Sequence, residues 1–254
     1  MKKSLTLVII IVLSALMLTS CNPLNFLIKT VEGSGDLIVE KRDLPMYSAI
    51  EAHGDFELFV TQLDAGVEVH AESNLMKYVR TYVEDQTLVV EIADTDGSSI
   101  NLKPLEPIQV YVKLVKLNSV SLSGGVEMTS GQLVAENAKI DLAFSGGSWG
   151  SINAIRTGKL TVYLSGGSTL QVVDGQVDEQ YIEASGESSY TADWLKSEVT
   201  EIQLSGDSEA TIWAEETLNV DLSGGSLAYY YGSPVHLNEV RSSGGSDYIS
   251  RGEH

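Results

Sequence analysis

Seven times between Ser123 and Ser246 the chain runs through a short alternating segment into a Ser-Gly-[Gly/Glu/Asp] step, at Ser123, Ser145, Ser165, Ser185, Ser205, Ser223 and Ser243. The spacings are 22, 20, 20, 20, 18 and 20 residues. A period near 20 is that of a solenoid, whose units are too small to bury an apolar face except by stacking on their neighbours. Apolar residues stand in pairs just before the steps: Leu142 and Phe144, Val162 and Leu164, Ile182 and Ala184, Ile202 and Leu204, Val220 and Leu222. The residue between them is often polar, as with Glu183, Gln203 and Asp221, which is the period-two alternation of a strand with one buried face. After the steps, Ile152, Val172, Ala192, Ile212 and Tyr230 fall in one column. From Ala138 onward no apolar pattern of period 3.6 lasts beyond about two turns. The chain is therefore expected to be all-β: a single-stranded, right-handed parallel β-helix, or β-solenoid, with rungs of about 20 residues.

The glycines supply the positive φ that a sharp corner often needs. Two serine columns, Ser145, Ser165, Ser185, Ser205 and Ser148, Ser168, Ser188, Ser208, would then stack about 4.8 Å apart and are expected to hydrogen-bond to one another along the axis. Regular rungs are assigned to 127–250. Residues 33–126 are assigned to divergent rungs and an N-terminal cap, which a solenoid needs to stop edge-to-edge association. Within that part, 73–79 reads as one helical turn capped by Ser73 or Asn74, and 94–107 as a loop rich in Pro and Gly.

At the start, Lys2 and Lys3 precede the apolar run from Leu5 to Leu18, the pattern of a secretion signal in 1–20. The run ends in Leu18, Thr19, Ser20 and Cys21, which resembles a lipobox, the site at which a bacterial lipoprotein is cleaved and acylated on the new N-terminal cysteine. Cys21 is the only cysteine, so it cannot form an internal disulfide, and lipidation accounts for it. An ordinary signal peptide with a free thiol is the alternative. Residues 21–32 then read as lipidated cysteine and tether, and 33–254 as the solenoid domain. Loss of Lys2 and Lys3 takes the net charge from −19 to −21. A surface this acidic repels nucleic acid and anionic headgroups and suits divalent cations or basic partners, or serves solubility alone.

Chemistry is sparse. Glu187 and Asp207 replace glycine at the third position of neighbouring turns, with Glu209 close by. Stacked about 4.8 Å apart they approach the separation of a retaining glycosidase pair, roughly 5–5.5 Å, and they also suit a weak calcium site. Exposed turns take Asp and Glu without any such role. His53, His70, His236 and His254 lack metal-ligand spacing, and neither a metal site nor a cofactor is expected. No histidine or lysine recurs beside the serines, which argues against a nucleophilic column. Trp149, Tyr163, Trp194, Trp213, Tyr229 and Tyr231 lie in or beside the alternating stretches, and those that face outward are candidates for a strip that stacks on a glycan or a protein ligand. Tyr190, Tyr230 and Tyr248 fall in inward columns.

The order Arg42, Asp43, Leu44, Pro45, Tyr47, Ile50, Gly54, Phe56, Leu58, Val60, followed by Ala71–Glu72–Ser73–Asn74–Leu75 and Leu88–Val89–Val90–Glu91–Ile92, resembles the opening of the putative autotransporter adhesin, head GIN domain family. Pro107–Ile108–Gln109–Val110–Tyr111–Val112, then Leu117, Val120, Leu122, Ser123 and Gly124, continue in the same order. The resemblance spans roughly Val39 to Ile249. It implies an exported or lipid-anchored protein of Bacteroidetes-like bacteria, with no catalytic residue to carry over. The expectation is a noncatalytic lipid-anchored protein of the cell envelope, on the outer membrane or cell surface, that binds or adheres. A carbohydrate-active lyase or hydrolase and a structural spacer are the alternatives. An open edge at the last rung would allow a homodimer through the end of the solenoid.

Overall fold

The computed structural model describes residues 28–253 and shows a β-solenoid of stacked parallel rungs with almost no helix. The signal segment, Cys21 and residues 22–27 of the expected tether lie outside the described residues. Each full rung has three segments. An upstream face leads into the Ser-Gly corner (140–144, 160–164, 180–184, 200–204), a downstream face leaves it (149–152, 169–172, 189–192, 209–213), and a third face joins them (154–157, 175–177, 195–197). Register is constant along the stack: Leu142 pairs with Val162, Val162 with Ile182, Ile182 with Ile202 and Ile202 with Val220. Ile152 lies beside Val172, and Ala192 beside Ile212. These columns are fully buried. A slip of one residue would turn every one of them to solvent, so the apolar alternation penalises any departure from this register.

The two irregular spacings have local causes. In the 22-residue step, Ala135 pairs with Thr157 but Lys139 with Lys159, so 136–138 oppose Gly158 alone in a bulge. In the 18-residue step the third face is cut short. Ser197 donates its hydroxyl to the carbonyl of Trp213 (2.8 Å), Glu215 N–H bonds back to Ser197, and the chain passes at once to the strand Thr217–Leu222.

The corners repeat because each seats on the previous one. Gly166 has φ +64°, and a Cβ placed there would sit 3.2 Å from the amide nitrogen of Gly146. The serine columns do not form the expected ladder. Ser148, Ser188, Ser208 and Ser226 are buried and donate to the carbonyls of Ser145, Ser185, Ser205 and Ser223 in their own turns, at 2.7–2.9 Å. Ser168 donates to Phe144 of the rung before (2.9 Å). A hydroxyl held against the corner meets a backbone carbonyl before it can reach the next hydroxyl, and buried carbonyls need donors.

Three antiparallel pairings close the N-terminal end, one of them joining Gly66–Glu72 to Gln109–Leu114. Val79–Glu84 pairs with Thr87–Ile92 at the end of the upstream face, and Leu37–Arg42 with Gly66–Glu72 at the end of the downstream face. Two expectations fail in this region. Ile100–Lys103, within the segment read as a loop, forms a parallel pair with Lys29–Glu32, the end of the segment read as tether. The helical turn is a 3-10 turn at Met76–Tyr78 that neither Ser73 nor Asn74 caps. Asn74 instead accepts from Ser34 N–H (3.0 Å) and donates to the carbonyl of Glu32 (2.8 Å), tying down the incoming chain.

Gly166→Ala should lower stability by about 1–2 kcal/mol, the cost of a left-handed conformation for a residue with a Cβ. Gly175→Ala should cost more, because at φ +142° its Cβ would lie 2.1 Å from the carbonyl oxygen of Ile155. Urea unfolding of both variants measures this. Equal stabilities for wild type and Gly175→Ala would show that the rungs do not approach so closely.

Candidate binding surface

The downstream face extends into the cap. Glu57 pairs with Glu127, Glu127 with Trp149 and Trp149 with Thr169, so one outward column runs from two acids to an exposed indole. In the next outward column Tyr111 and Phe59 stack with centroids 4.7 Å apart, and His70 lies 4.7 Å from Tyr111. That aromatic cluster was not foreseen, since it joins residues from three strands whose pairing the sequence does not declare.

A flap, 98–107, lies over the start of this face. It is held by Glu72, a fully buried carboxylate that accepts hydrogen bonds from Gly35 N–H (2.6 Å), Leu105 N–H (2.5 Å) and Glu106 N–H (3.4 Å). The Gly35 bond foremost, with those from Leu105 and Glu106, holds this carboxyl below the usual glutamate range despite burial. Between flap and face opens a cleft of about 540 Å³. A second hollow of about 800 Å³ lies among the cap strands, edged by Lys41, Arg42 and Lys113 and by the exposed Leu63 and Val115.

The six aromatic residues expected in one strip lie at three places. Tyr163 is exposed on the upstream face, with its ring 6.0 Å from that of Tyr181. Trp149 and the half-buried Tyr229 are on the downstream face, in different columns. Trp194, Trp213 and Tyr231 cluster at a corner, Trp194 tilted against Trp213 and Trp213 stacked on Tyr231 with centroids 6.3 and 6.5 Å apart, and Lys196 Nζ lies 5.0 Å from the Trp213 ring. Only Trp194 of these three is strongly exposed, and Trp213 is buried. Of the tyrosines read as inward, Tyr190 is fully buried, and Tyr230 and Tyr248 pack partly buried against the core.

Glu187, Asp207 and Glu209 are all exposed. The first two owe their place to the turn. Corners such as Gly146–Gly147 and Gly166–Gly167 have positive φ at both residues, whereas with Glu187 and Asp207 only the preceding Gly186 and Gly206 do. In the Asp207 corner and the one after it, whose Gly225 is likewise not at positive φ, the third residue turns its N–H along the axis, Asp207 to the carbonyl of Gly186 (2.9 Å) and Gly225 to that of Gly206 (2.8 Å). A Cβ is then tolerated. Glu209 stands on the downstream face beside Ser189 and Leu227. Among the described residues no group of three or more His, Cys, Asp or Glu side chains is placed to hold a metal ion.

One serine does have a histidine beside it. The pairing of Ala49–His53 with Ser119–Ser123 sets His53 Nδ1 2.6 Å from Ser123 Oγ, and Glu51 Oε1 is 2.8 Å from His53 Nε2. The His–Glu contact recurs at His70 and Glu68 (2.7 Å), again two residues apart on one strand, where it holds Glu68 below the usual range. Both pairs follow from period-two neighbours sharing a face. Sequence reading missed Ser123 because its partner lies 70 residues away.

A family model for the putative auto-transporter adhesin, head GIN domain, matches residues 46–234. The chain belongs to this family. Among solved structures, a putative adhesin from Bacteroides fragilis superposes with a TM-score of 0.75 at 18% identity, over 88% of this chain and 99% of the other. A putative lipid binding protein from Parabacteroides distasonis gives 0.65 at 16% identity, over 87% and 100%. A putative adhesin from Parabacteroides merdae gives 0.62 at 18%, over 88% and 97%. At these identities the structural likeness establishes the fold. No curated protein is detectably similar in sequence.

The clasp at Glu72 is testable through pH. Its donors favour the carboxylate, so the stability it adds is complete above the ordinary glutamate pKa and is lost as pH falls through the lowered value. Wild type should therefore exceed Glu72→Gln in urea midpoint at neutral pH, with the gap closing in acid. A gap independent of pH would show that the charge is not what holds the flap.

Proposed function

We propose that this head GIN domain protein is a noncatalytic, lipid-anchored protein of the cell envelope that presents its β-solenoid for binding or adhesion. The observation that carries the proposal is the family match over residues 46–234, on a rod whose side chains repeat outward on stacked strands. Parallel strands about 4.8 Å apart place outward groups at steps suited to a ligand that itself repeats, such as a glycan, or to an extended protein surface. Trp149, Tyr163 and Trp194 offer exposed rings for stacking, and the acidic surface disfavours nucleic acid. The signal segment and Cys21 support export and acylation, with anchoring by more than one acyl chain. No helix of the described residues is long and apolar enough to cross a membrane.

Labelled palmitate should be incorporated by cells expressing the full chain and lost on Cys21→Ala, which should also release the protein from membranes. Retention of the variant in the membrane fraction would contradict the anchor. The mature chain from Asn22, applied to a glycan array with calcium or with EDTA, should bind without turnover, and Trp149→Ala or Trp194→Ala should weaken binding. Released sugars, abolished by Glu187→Gln or Asp207→Asn, would establish an enzyme instead.

A further inference from the structure

The cleft beneath the 98–107 flap has a one-sided character. Its floor is formed by the buried Phe56 and Ile108, and its walls by the half-buried Ile92 and Leu102 and the strongly exposed Leu105 of the flap. Its charged lining residues are Asp55, Glu57, Glu106 and Glu127, and among the described residues it includes no Lys, Arg or His. Glu57 and Glu127 are direct partners on adjacent parallel strands, a placement that is unfavourable for like charges. Glu57 also accepts a hydrogen bond from Gln109 Nε2 (2.8 Å), its partner on the neighbouring strand away from Glu127. The next residue in that column is Trp149, 39% exposed, which places an aromatic side chain one strand beyond the acids.

We propose that this cleft is the docking site for an extended basic segment of a partner protein, one in which arginine or lysine alternates with apolar residues. The inference rests on the binding reading above and names its partner chemistry. Charge complementarity selects the occupant. A chain of net charge −19 draws basic partners to its surface generally, but an apolar floor inside an acid rim discriminates among them. An extended peptide sends alternate side chains to opposite sides, so arginines could meet the Glu57, Glu127 and Trp149 column while leucines enter between Phe56 and Leu105.

The test uses the full chain in non-ionic detergent and fluorescein-labelled peptides of roughly nine residues, about 30 Å when extended. One alternates arginine with leucine, a second arginine with serine, and a third glutamate with leucine. Fluorescence anisotropy should show the arginine–leucine peptide binding most tightly and the glutamate–leucine peptide not at all. The double variant Glu57→Gln, Glu127→Gln should lose about tenfold in affinity. Glu187→Gln with Asp207→Asn, which removes the same charge from distant turns, should change it by less than about twofold. Leu105→Ser, at an exposed position, should weaken the leucine peptide and spare the serine one, a result that misfolding would not produce. Equal losses from the two double variants, or equal binding of the leucine and serine peptides, would overturn the proposal and leave only a diffuse acidic field. Glycan binding that persists when peptide binding fails would refute the cleft without touching the broader binding reading.

Discussion

The whole rod depends on one corner stacking on a copy of itself. A turn with a left-handed glycine brings the backbone so close to the turn before it that a Cβ on Gly166 would sit 3.2 Å from the amide nitrogen of Gly146, a tight contact. An inward serine closes most of these turns by donating to the carbonyl of the serine three residues before it. Once corners superpose, the strands on either side are forced into register, and register places apolar residues on apolar residues through Leu142, Val162, Ile182 and Ile202. Burial of those columns supplies the favourable free energy, but the corner decides which residues share a column.

That division of labour explains which features could be read in advance. Glycine at a corner reports its own conformation, so the Ser-Gly steps disclose rung length and strand direction without knowledge of any partner. The buried columns Ile152–Val172 and Ala192–Ile212 follow from period two alone. The bonding of the serine hydroxyls is not legible in the repeat because it is settled by the nearest carbonyl, a detail of the turn. The strand Ile100–Lys103 was hidden by Gly97, Pro104 and Pro107 around it, and by a partner, Lys29–Glu32, some 70 residues earlier.

The candidate surface was less legible. Whether an aromatic residue sits on a face or at a corner depends on where the rung bends, and the bend moves when the third face is shortened. Trp213 is buried, tilted against the exposed Trp194, while Trp149 remains on an open face. Glu187 and Asp207 drew attention as replacements for glycine, yet the turn in which they stand has only its first residue at positive φ and accommodates them structurally. The acids of the flap cleft were individually unremarkable. Glu57 and Glu127 meet only because two strands 70 residues apart are neighbours in the stack. A solenoid thus gathers its surface from distant positions while its core repeats locally, which is why the sequence speaks more clearly about the scaffold than about what the scaffold binds.

Register between rungs is the claim on which all these placements rest, and paired cysteines can measure it. In a mature chain lacking Cys21, Thr169→Cys and Ser189→Cys occupy directly paired outward positions. Neighbouring parallel strands, about 4.8 Å apart, bring such Cα atoms within the roughly 4.4–6.8 Å that a disulfide spans. Mild oxidation should join this pair rapidly, whereas Thr169→Cys with Thr191→Cys, offset by one outward position, should remain largely reduced. Preferential closure of the offset pair would show that the rungs stack in a different register and would contradict the structure described.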